Sequence, residues 1–195
     1  MSNFTKAILA GMAIGLGGWV KLSVENPILG TFLFAFGLMT IIIQGWSLYT
    51  GRIGYVKKEQ IKLIPIYLAG NFIGTGLISL LVNCSKFGNG LAEKAYDLIT
   101  AKCQDNILSI IVLSMLCGCL MYLAVDNYKK KKSFWFVMFP VVIFILCGAE
   151  HSVANMFYFT LSWRIGCQFE FFLYLVIMII FNGIGSIFTR KLNDV

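Results

Sequence analysis

The chain has 195 residues, of which 58% are hydrophobic and only 13% are charged. Soluble domains carry about 25% charged residues, so this composition excludes an ordinary water-exposed globule and indicates a surface that faces lipid. A net charge of +7 would suit a nucleic-acid-binding protein, but the basic residues cluster in short segments between apolar runs, which is typical of membrane topology. We therefore expect an all-α, multi-pass protein of the lipid bilayer with no nucleic-acid partner.

Six apolar segments are long enough to cross the hydrocarbon core, which takes about 20 residues as a helix. In chain order they cover roughly 4–24, 28–50, 62–84, 105–126, 133–159 and 168–189. The first carries Lys21 near its end, where a long side chain can reach the interface. The one long connection, at about 85–104, separates two sets of three spans. Three is odd, so the halves, about 1–85 and 104–195 of a single transmembrane domain, have opposite orientation, as in inverted-repeat channels.

The basic residues predict the orientation, because cytoplasmic loops are enriched in Lys and Arg. Three clusters fall on one side of a six-span chain, whereas the opposite loops carry nearly balanced charge. The clusters are Arg52, Lys57, Lys58 and Lys62 after the second span, Lys129 to Lys132 after the fourth, and Arg190 and Lys191 after the sixth. Both termini are therefore predicted to be cytoplasmic, in a plasma (bacterial inner) membrane.

Polar residues interrupt the fifth span at Gly148-Ala149-Glu150-His151-Ser152-Val153-Ala154-Asn155. Ionisable groups at mid-membrane are costly, so Glu150 and His151, the only histidine, mark a candidate functional site. Seven of these eight residues are polar or small, which indicates a broken helix or a water-filled route. The alternative is a buried His-Glu pair that tethers neighbouring helices.

The second span ends in a comparable segment, Gln44-Gly45-Trp46-Ser47-Leu48-Tyr49-Thr50-Gly51. A helix that restarts there would direct unpaired N–H groups and a positive dipole end at an anion. Two such breaks, one per half, would meet near the midplane; the alternative is an ordinary helix end at the interface. Small residues with Asn in 69–74 and 181–185 give a weak repeat signal, which generic helix-packing glycines explain equally well.

The remaining reactive residues predict no metal, cofactor or catalytic centre. Cys117 and Cys119 are two apart and point to different faces of a helix, which makes a poor metal site. One histidine, without a carboxylate pair in a span or a Ser-Lys cluster, argues against an intramembrane enzyme. Whether Cys84 and Cys103 form a disulfide is left open by the sequence.

The run from Gly148 to Phe157 closely resembles the signature of the formate/nitrite transporter family, G-F-E-H-S-[IV]-A-N-M-[FY]. Residues 47–51 look like the family's E-L-F-T-[GS] element, and residues 15–18 and 70–71 also resemble family positions. The resemblance covers the whole chain. It implies an aquaporin-like six-helix fold with broken second and fifth helices, assembled as a homopentamer with one pore per protomer.

The resemblance also implies site residues. Thr50 and His151 match the family's central threonine and histidine, Asn155 matches an asparagine of the signature, and Lys102 matches a vestibule lysine. Glu150 is expected to anchor the break through backbone N–H groups. The residues at the spacing of the family's apolar constrictions are Phe34, Leu38, Leu48, Tyr49 and Phe144.

Three positions depart from the family pattern: Ser47 replaces Glu, Gly118 replaces Asn and Ala149 replaces Phe. The first two remove polar groups near the pathway and the third enlarges it, so they bear on the substrate. The predicted function is a channel or transporter for small monovalent weak-acid anions, such as formate or nitrite, which pass as the neutral acid or with proton coupling. The alternatives are a hydrosulfide or other small-solute channel of the same fold, and an aquaporin-type pore, whose paired Asn-Pro-Ala signals the sequence lacks.

Overall fold

A computed structural model describes residues 1–166 and 169–194. Throughout these residues the regular structure is helical, without a β-strand. The α-helices are α1 (Asn3–Ser23), α2 (Pro27–Gln44), α3 (Tyr49–Arg52), α4 (Ile64–Asn83), α5 (Gly88–Cys103), α6 (Ile107–Lys131), α7 (Trp135–Leu146), α8 (Ser152–Ser162) and α9 (Glu170–Asn193). Two 3₁₀ turns, Ile53–Tyr55 and Lys58–Leu63, connect α3 to α4.

The first turns of three long helices are capped by polar side chains. Asn26 Oδ1 accepts hydrogen bonds from the N–H groups of Ile28 and Leu29 at 3.0 and 3.1 Å, and Pro27 occupies the first helical position of α2. Ser2 caps α1 and Asn106 caps α6 in the same way. These helices begin where a small polar residue precedes an apolar run, because its side chain satisfies N–H groups that the helix leaves unpaired.

Four helical stretches among the described residues are long and apolar enough to cross a membrane. They are Pro27–Gln44, Lys58–Asn83, Ile107–Lys131 and Glu170–Asn193. They coincide with the predicted second, third, fourth and sixth spans, although residue 168, where the sixth was predicted to begin, lies outside the described residues. The predicted first span falls on α1, and the predicted fifth falls on α7 and α8 together.

Two short non-helical segments have matching geometry. One separates α2 from α3 and begins with Gly45, and the other separates α7 from α8 and contains Gly148. Both glycines adopt the left-handed conformation, with φ of 64° and 70°, which glycine reaches without steric penalty. In each segment the helix resumes four residues after the glycine, following an extended residue, Leu48 or His151.

Two helix pairs, α1 with α4 and α6 with α9, approach so closely that backbone lies against backbone. At four glycines on these helices an added Cβ would collide with a backbone carbonyl oxygen of the partner helix, which explains why small residues are needed there. The contacts are Gly11 with Asn71, Gly74 with Ile8, Gly118 with Asn182, and Gly185 with Met115.

The connection at about 85–104 is not an irregular loop, because it contains α5. Leu91, Ala95 and Ile99 recur at a spacing of four residues and are buried on one face of this helix, which packs against α8. An amphipathic helix of this kind lies on the surface of a bundle. It places its last turn, with Lys102, beside the segment that precedes α8.

Candidate functional site

The two non-helical segments lead into helices that meet at Thr50 and His151. Thr50 lies in the single turn of α3, and His151 immediately precedes α8. Thr50 Oγ1 and His151 Nε2 are 2.9 Å apart. Their side chains are buried, with residue exposures of 1% and 2%. The structure therefore brings together the two residues that match the family's central threonine and histidine.

The hydrogen bonds of His151 define the tautomer of its neutral imidazole. The N–H of Ala154 donates to Nδ1 at 3.1 Å, so Nδ1 is an acceptor and carries no proton. In a neutral ring Nε2 then carries the hydrogen and donates it to Thr50 Oγ1. The hydroxyl hydrogen of Thr50 is left to donate to an acceptor other than His151.

Asn71 on α4 holds the segment before α3. Its side-chain oxygen accepts from the N–H of Tyr49 at 2.9 Å, and its Nδ2 donates to the carbonyl oxygens of Ser47 and Ala7 at 3.0 and 2.8 Å. Asn71 is fully buried. One amide side chain therefore joins α1, α4 and the start of α3.

Asn182 on α9 holds the segment before α8 with the same three kinds of bond. Its side-chain oxygen accepts from the N–H of Ser152 at 2.9 Å, and its Nδ2 donates to the carbonyl oxygens of Glu150 and Ser114 at 2.8 Å each. From the sequence alone, both asparagines were interpreted only as repeat or packing signals. Each asparagine is next to a glycine, Gly70 or Gly183, and this was the available indication in the sequence. The hydrogen bonds that each one makes depend on the fold.

Backbone N–H groups at the two segments were expected to attract the anion. The N–H of Tyr49 is bonded to Asn71, and the N–H groups of Ser152 and Ala154 are bonded to Asn182 and His151. Within the described residues, the N–H groups of Thr50, Gly51 and Val153 have no protein acceptor. Each of the two helix starts therefore keeps N–H donors that a solute can use, and their attraction for an anion stays a prediction.

Glu150 forms an ion pair with Lys102, and this differs from its predicted role. Its two carboxylate oxygens lie 2.5 and 2.6 Å from Lys102 Nζ, and one accepts from Asn155 Nδ2 at 2.8 Å. The prediction that the Glu150 side chain anchors the break through backbone N–H groups is therefore wrong. The anchoring comes from its backbone, whose N–H donates to the carbonyl of Leu113, while the side chain points towards the end of α5.

A cavity of about 70 Å³ adjoins the imidazole, and we call it the His151 cavity. The rings of Phe34 and Phe144 are edge-to-face at 6.2 Å between centroids, and Phe144 also stacks on the His151 ring at 5.6 Å. Two predicted constriction residues therefore wall this space with apolar surface. The cavity is lined by Lys21, Phe34, Lys102, Phe144, Ile145, Gly148, Ala149, Glu150, His151, Ala154, Asn155 and Tyr158.

A second cavity of about 160 Å³, the Arg52 cavity, lies against Leu38 and Leu48. It is also lined by three cationic side chains, Arg52, Lys129 and Lys132. The Arg52 guanidinium donates to the carbonyl of Gly45 at 2.7 Å, which braces the segment between α2 and α3. Leu38 is four residues from Phe34, so the two cavities adjoin one face of α2 about one helical turn apart.

Tyr49, predicted to lie at a constriction, contacts α9. Its hydroxyl donates to the carbonyl of Ile179 at 2.8 Å, and its ring packs against Gly183 on α9. It lines neither the His151 cavity nor the Arg52 cavity. A constriction is the point at which a cavity closes, so the role of Tyr49 there stays a prediction.

Lys21 is a charged residue of the His151 cavity that was not predicted to be a site residue. It was expected only to extend to the interface, yet it lines the cavity with its ammonium 5.7 Å from the centre of the Tyr158 ring. A lysine inside an apolar span was the available signal.

The described cysteines are all free thiols, Cys84 and Cys103 among them. The described residues contain no cluster of three or more His, Cys, Asp or Glu side chains that could hold a metal ion.

Comparison with known proteins identifies the family. A family model described as Formate/nitrite transporter matches residues 1–191. The nitrite transporter NirC of Salmonella typhimurium is 26% identical over 188 residues, covering 82% of this chain and 68% of that protein. The formate-nitrite transporter of Plasmodium falciparum is 28% identical over 196 residues, covering 80% of this chain and 63% of that protein.

The solved structure of a pentameric formate channel with formate bound has the same fold. It superposes with a TM-score of 0.84 at 22% identity, covering 98% of this chain and 94% of that one. The members named here are channels and transporters rather than enzymes. With a family match over nearly its whole length and this likeness in fold, the chain belongs to the formate/nitrite transporter family.

Proposed function

We propose that the chain carries small monovalent anions of weak acids, with formate and nitrite as the leading candidates, past the Thr50–His151 contact. The observation that supports this most is the 2.9 Å approach of a buried hydroxyl and a buried imidazole beside the His151 cavity. Relatives named for nitrite and formate transport support the substrate class.

The proposed architecture has six spans, with the second formed by α2 and α3 and the fifth by α7 and α8. Matching residues support an inverted repeat of the two halves. Three pairs of residues, each 103 positions apart, have matching roles in the two halves. Gly45 and Gly148 both have positive φ. The carbonyls of Ser47 and Glu150 accept from the clamping asparagines, and the N–H groups of Tyr49 and Ser152 donate to them. In this topology both termini are cytoplasmic, and the Arg52 cavity with its three cations opens to the cytoplasm.

In the proposed mechanism the solute crosses the narrowest part as a neutral acid. A bare anion between Phe34, Phe144 and Leu38 would lose its hydration at a free-energy cost of many kcal/mol, and protonation removes most of that cost. The hydroxyl hydrogen of Thr50 is available to donate to the solute's carbonyl oxygen. Water supplies the proton, because Nδ1 of His151 accepts from Ala154 and its Nε2 hydrogen is bonded to Thr50.

We also propose a homopentamer. A solved neighbour of the same fold is described as pentameric. On this chain, an apolar groove of about 370 Å³ between α1 and α2 includes Leu16 and Phe36, whose side chains are exposed in the single chain. Contact with a second copy would cover this surface.

Flux into proteoliposomes tests the proposed function. Formate, nitrite, acetate, lactate, hydrosulfide and glycerol are compared, with empty liposomes as the control. We expect saturable uptake of formate and nitrite and slower uptake of lactate, because the His151 cavity holds about 70 Å³. Hydrosulfide alone would establish the sulfur-species alternative. Glycerol uptake without anion uptake would contradict the proposal and favour a neutral-solute pore.

A further inference from the structure

We propose that Lys21, rather than Lys102, supplies the free positive charge that draws an anion into the His151 cavity. The inference rests on the proposed function and assigns its capture step to a residue that the family signature does not include. Both lysines line the cavity, so the question is which of their charges a solute can use.

The charge of Lys102 is already balanced. Its ammonium lies within 2.6 Å of both carboxylate oxygens of Glu150, and the side chains of the pair are 19% and 6% exposed. Asn155 adds a further hydrogen bond to the same carboxylate. At distances of several ångströms the opposite charges largely cancel, so the pair orients Glu150 and Asn155 more than it attracts an anion.

Lys21 has no such partner. Among the described residues its ammonium forms no ion pair, and the ring of Tyr158 lies 5.7 Å away. It projects from the last turn of α1, where the negative end of the helix dipole favours a cation. The His151 cavity therefore carries one net positive charge, and that charge belongs to Lys21.

The position of Lys21 also suits a capture role. Among the described residues, it alone lines both the His151 cavity and an open groove of about 440 Å³ on the α5 side. Lys94 and Asp97 also line this groove, and the Lys94 ammonium is bonded to the carbonyl of Leu22 at 3.1 Å. An anion that follows the groove inward therefore reaches the Lys21 ammonium at the junction of the two spaces.

An unpaired acceptor in the same cavity gives independent support for a ligand. Asn155 is 2% exposed, and its side-chain oxygen has no hydrogen-bond partner within the described part of the chain. Both hydrogen bonds of its Nδ2 are made, to Glu150 and to the carbonyl of His151. This oxygen can accept the O–H of a protonated acid, so the cavity offers a cation for the arriving anion and an acceptor for the neutral acid.

The test measures initial formate uptake against concentration at low and high ionic strength for Lys21→Gln, Lys21→Arg and Lys86→Gln. Lys86→Gln is the matched control, because it removes the same charge from an exposed residue that lines a different cavity. We expect Lys21→Gln to raise the half-saturation concentration about five- to tenfold at an unchanged maximal rate and to weaken the salt dependence. Lys21→Arg and Lys86→Gln should resemble the wild type.

A second variant keeps the test decisive if Lys21→Gln folds poorly. Lys21→Cys is reconstituted and then modified with a methanethiosulfonate that adds either an aminoethyl or a sulfonatoethyl group, and treated wild type controls for its own cysteines. We expect the aminoethyl group to restore formate uptake at low formate concentration, because it returns a positive charge to position 21. We expect the sulfonatoethyl group to reduce that uptake further. Equal uptake in both states, or an unchanged Lys21→Gln, would overturn the inference while leaving the proposed function intact. A wild type that carries no anion would instead remove the proposed function itself.

Discussion

At the scale of single residues, the hydrogen bonds of His151 determine what a solute meets at the centre of the chain. Thr50→Val removes the acceptor of the Nε2 hydrogen while keeping nearly the same side-chain volume. An unpaired buried donor costs about 1–3 kcal/mol, so we expect a lower melting temperature and about tenfold slower formate uptake. Thr50→Ser keeps the hydroxyl and should retain most of the uptake. Normal uptake by Thr50→Val, measured in proteoliposomes, would show that the contact is only a packing feature.

The Lys102–Glu150 ion pair is expected to contribute to stability. Glu150→Gln leaves a half-buried ammonium without its counter-charge, and we expect a loss of about 1–3 kcal/mol of stability, reduced by the partial exposure of Lys102. Lys102→Met combined with Glu150→Gln should recover part of the loss. Thermal unfolding of the two single variants and the double variant gives the coupling energy, and strictly additive losses would contradict direct pairing.

Thr50 and His151, which the structure brings together, could be singled out from the sequence because each lies in a short contiguous signature. The pairing of Lys102 with Glu150 was not predictable in the same way, since 48 residues separate them and the geometry depends on α5. Lys21 was overlooked for a related reason. A lysine near a span end has a general explanation at the interface, and only packing against Tyr158 and the His151 cavity distinguishes it.

At the scale of elements, Asn71 and Asn182 fix the starts of α3 and α8. Asn182→Leu removes three hydrogen bonds in a buried site, at about 1 kcal/mol each, so a loss of about 3 kcal/mol and reduced formate uptake are expected. Asn83→Leu is the control, because Asn83 Nδ2 makes one long bond, 3.3 Å, to the carbonyl of Leu161. Thermal unfolding in detergent measures the stability of both variants. Equal losses of stability in Asn182→Leu and Asn83→Leu would contradict the clamp role of Asn182.

The positions of the long helices were largely predictable from the sequence. The close packing of particular helix pairs and the helical structure of α5 were not. Apolar length indicated the long helices, but Gly118, a departure from the family's asparagine, has its physical meaning only beside Asn182. A Cβ there would collide with the Asn182 carbonyl, so the missing side chain allows α6 and α9 to pack closely. The α5 segment was taken as a loop because its apolar residues form a narrow stripe, too sparse for a span.

At the scale of the whole molecule, the family assignment from residues 148–157 is confirmed by the match over residues 1–191. The assembly is a further prediction. Native mass spectrometry of the detergent-solubilised protein should give about five times the chain mass of 21.8 kDa, because five copies would cover the apolar groove between α1 and α2. Replacing Leu16 and Phe36 with Ser should weaken the assembly, and a monomeric wild type would contradict it.

The most direct measurement compares formate uptake with the charge and protons that accompany it. Proteoliposomes containing a pH-sensitive dye are given a formate gradient, with the membrane potential clamped at several values, for the wild type and His151→Asn. We expect one proton to enter with each formate and uptake to be insensitive to potential. His151→Asn should slow uptake at the same ratio of protons to formate, because it removes the ring that orients Thr50 while water remains the proton source. A formate current that follows the potential without internal acidification would contradict passage as the neutral acid.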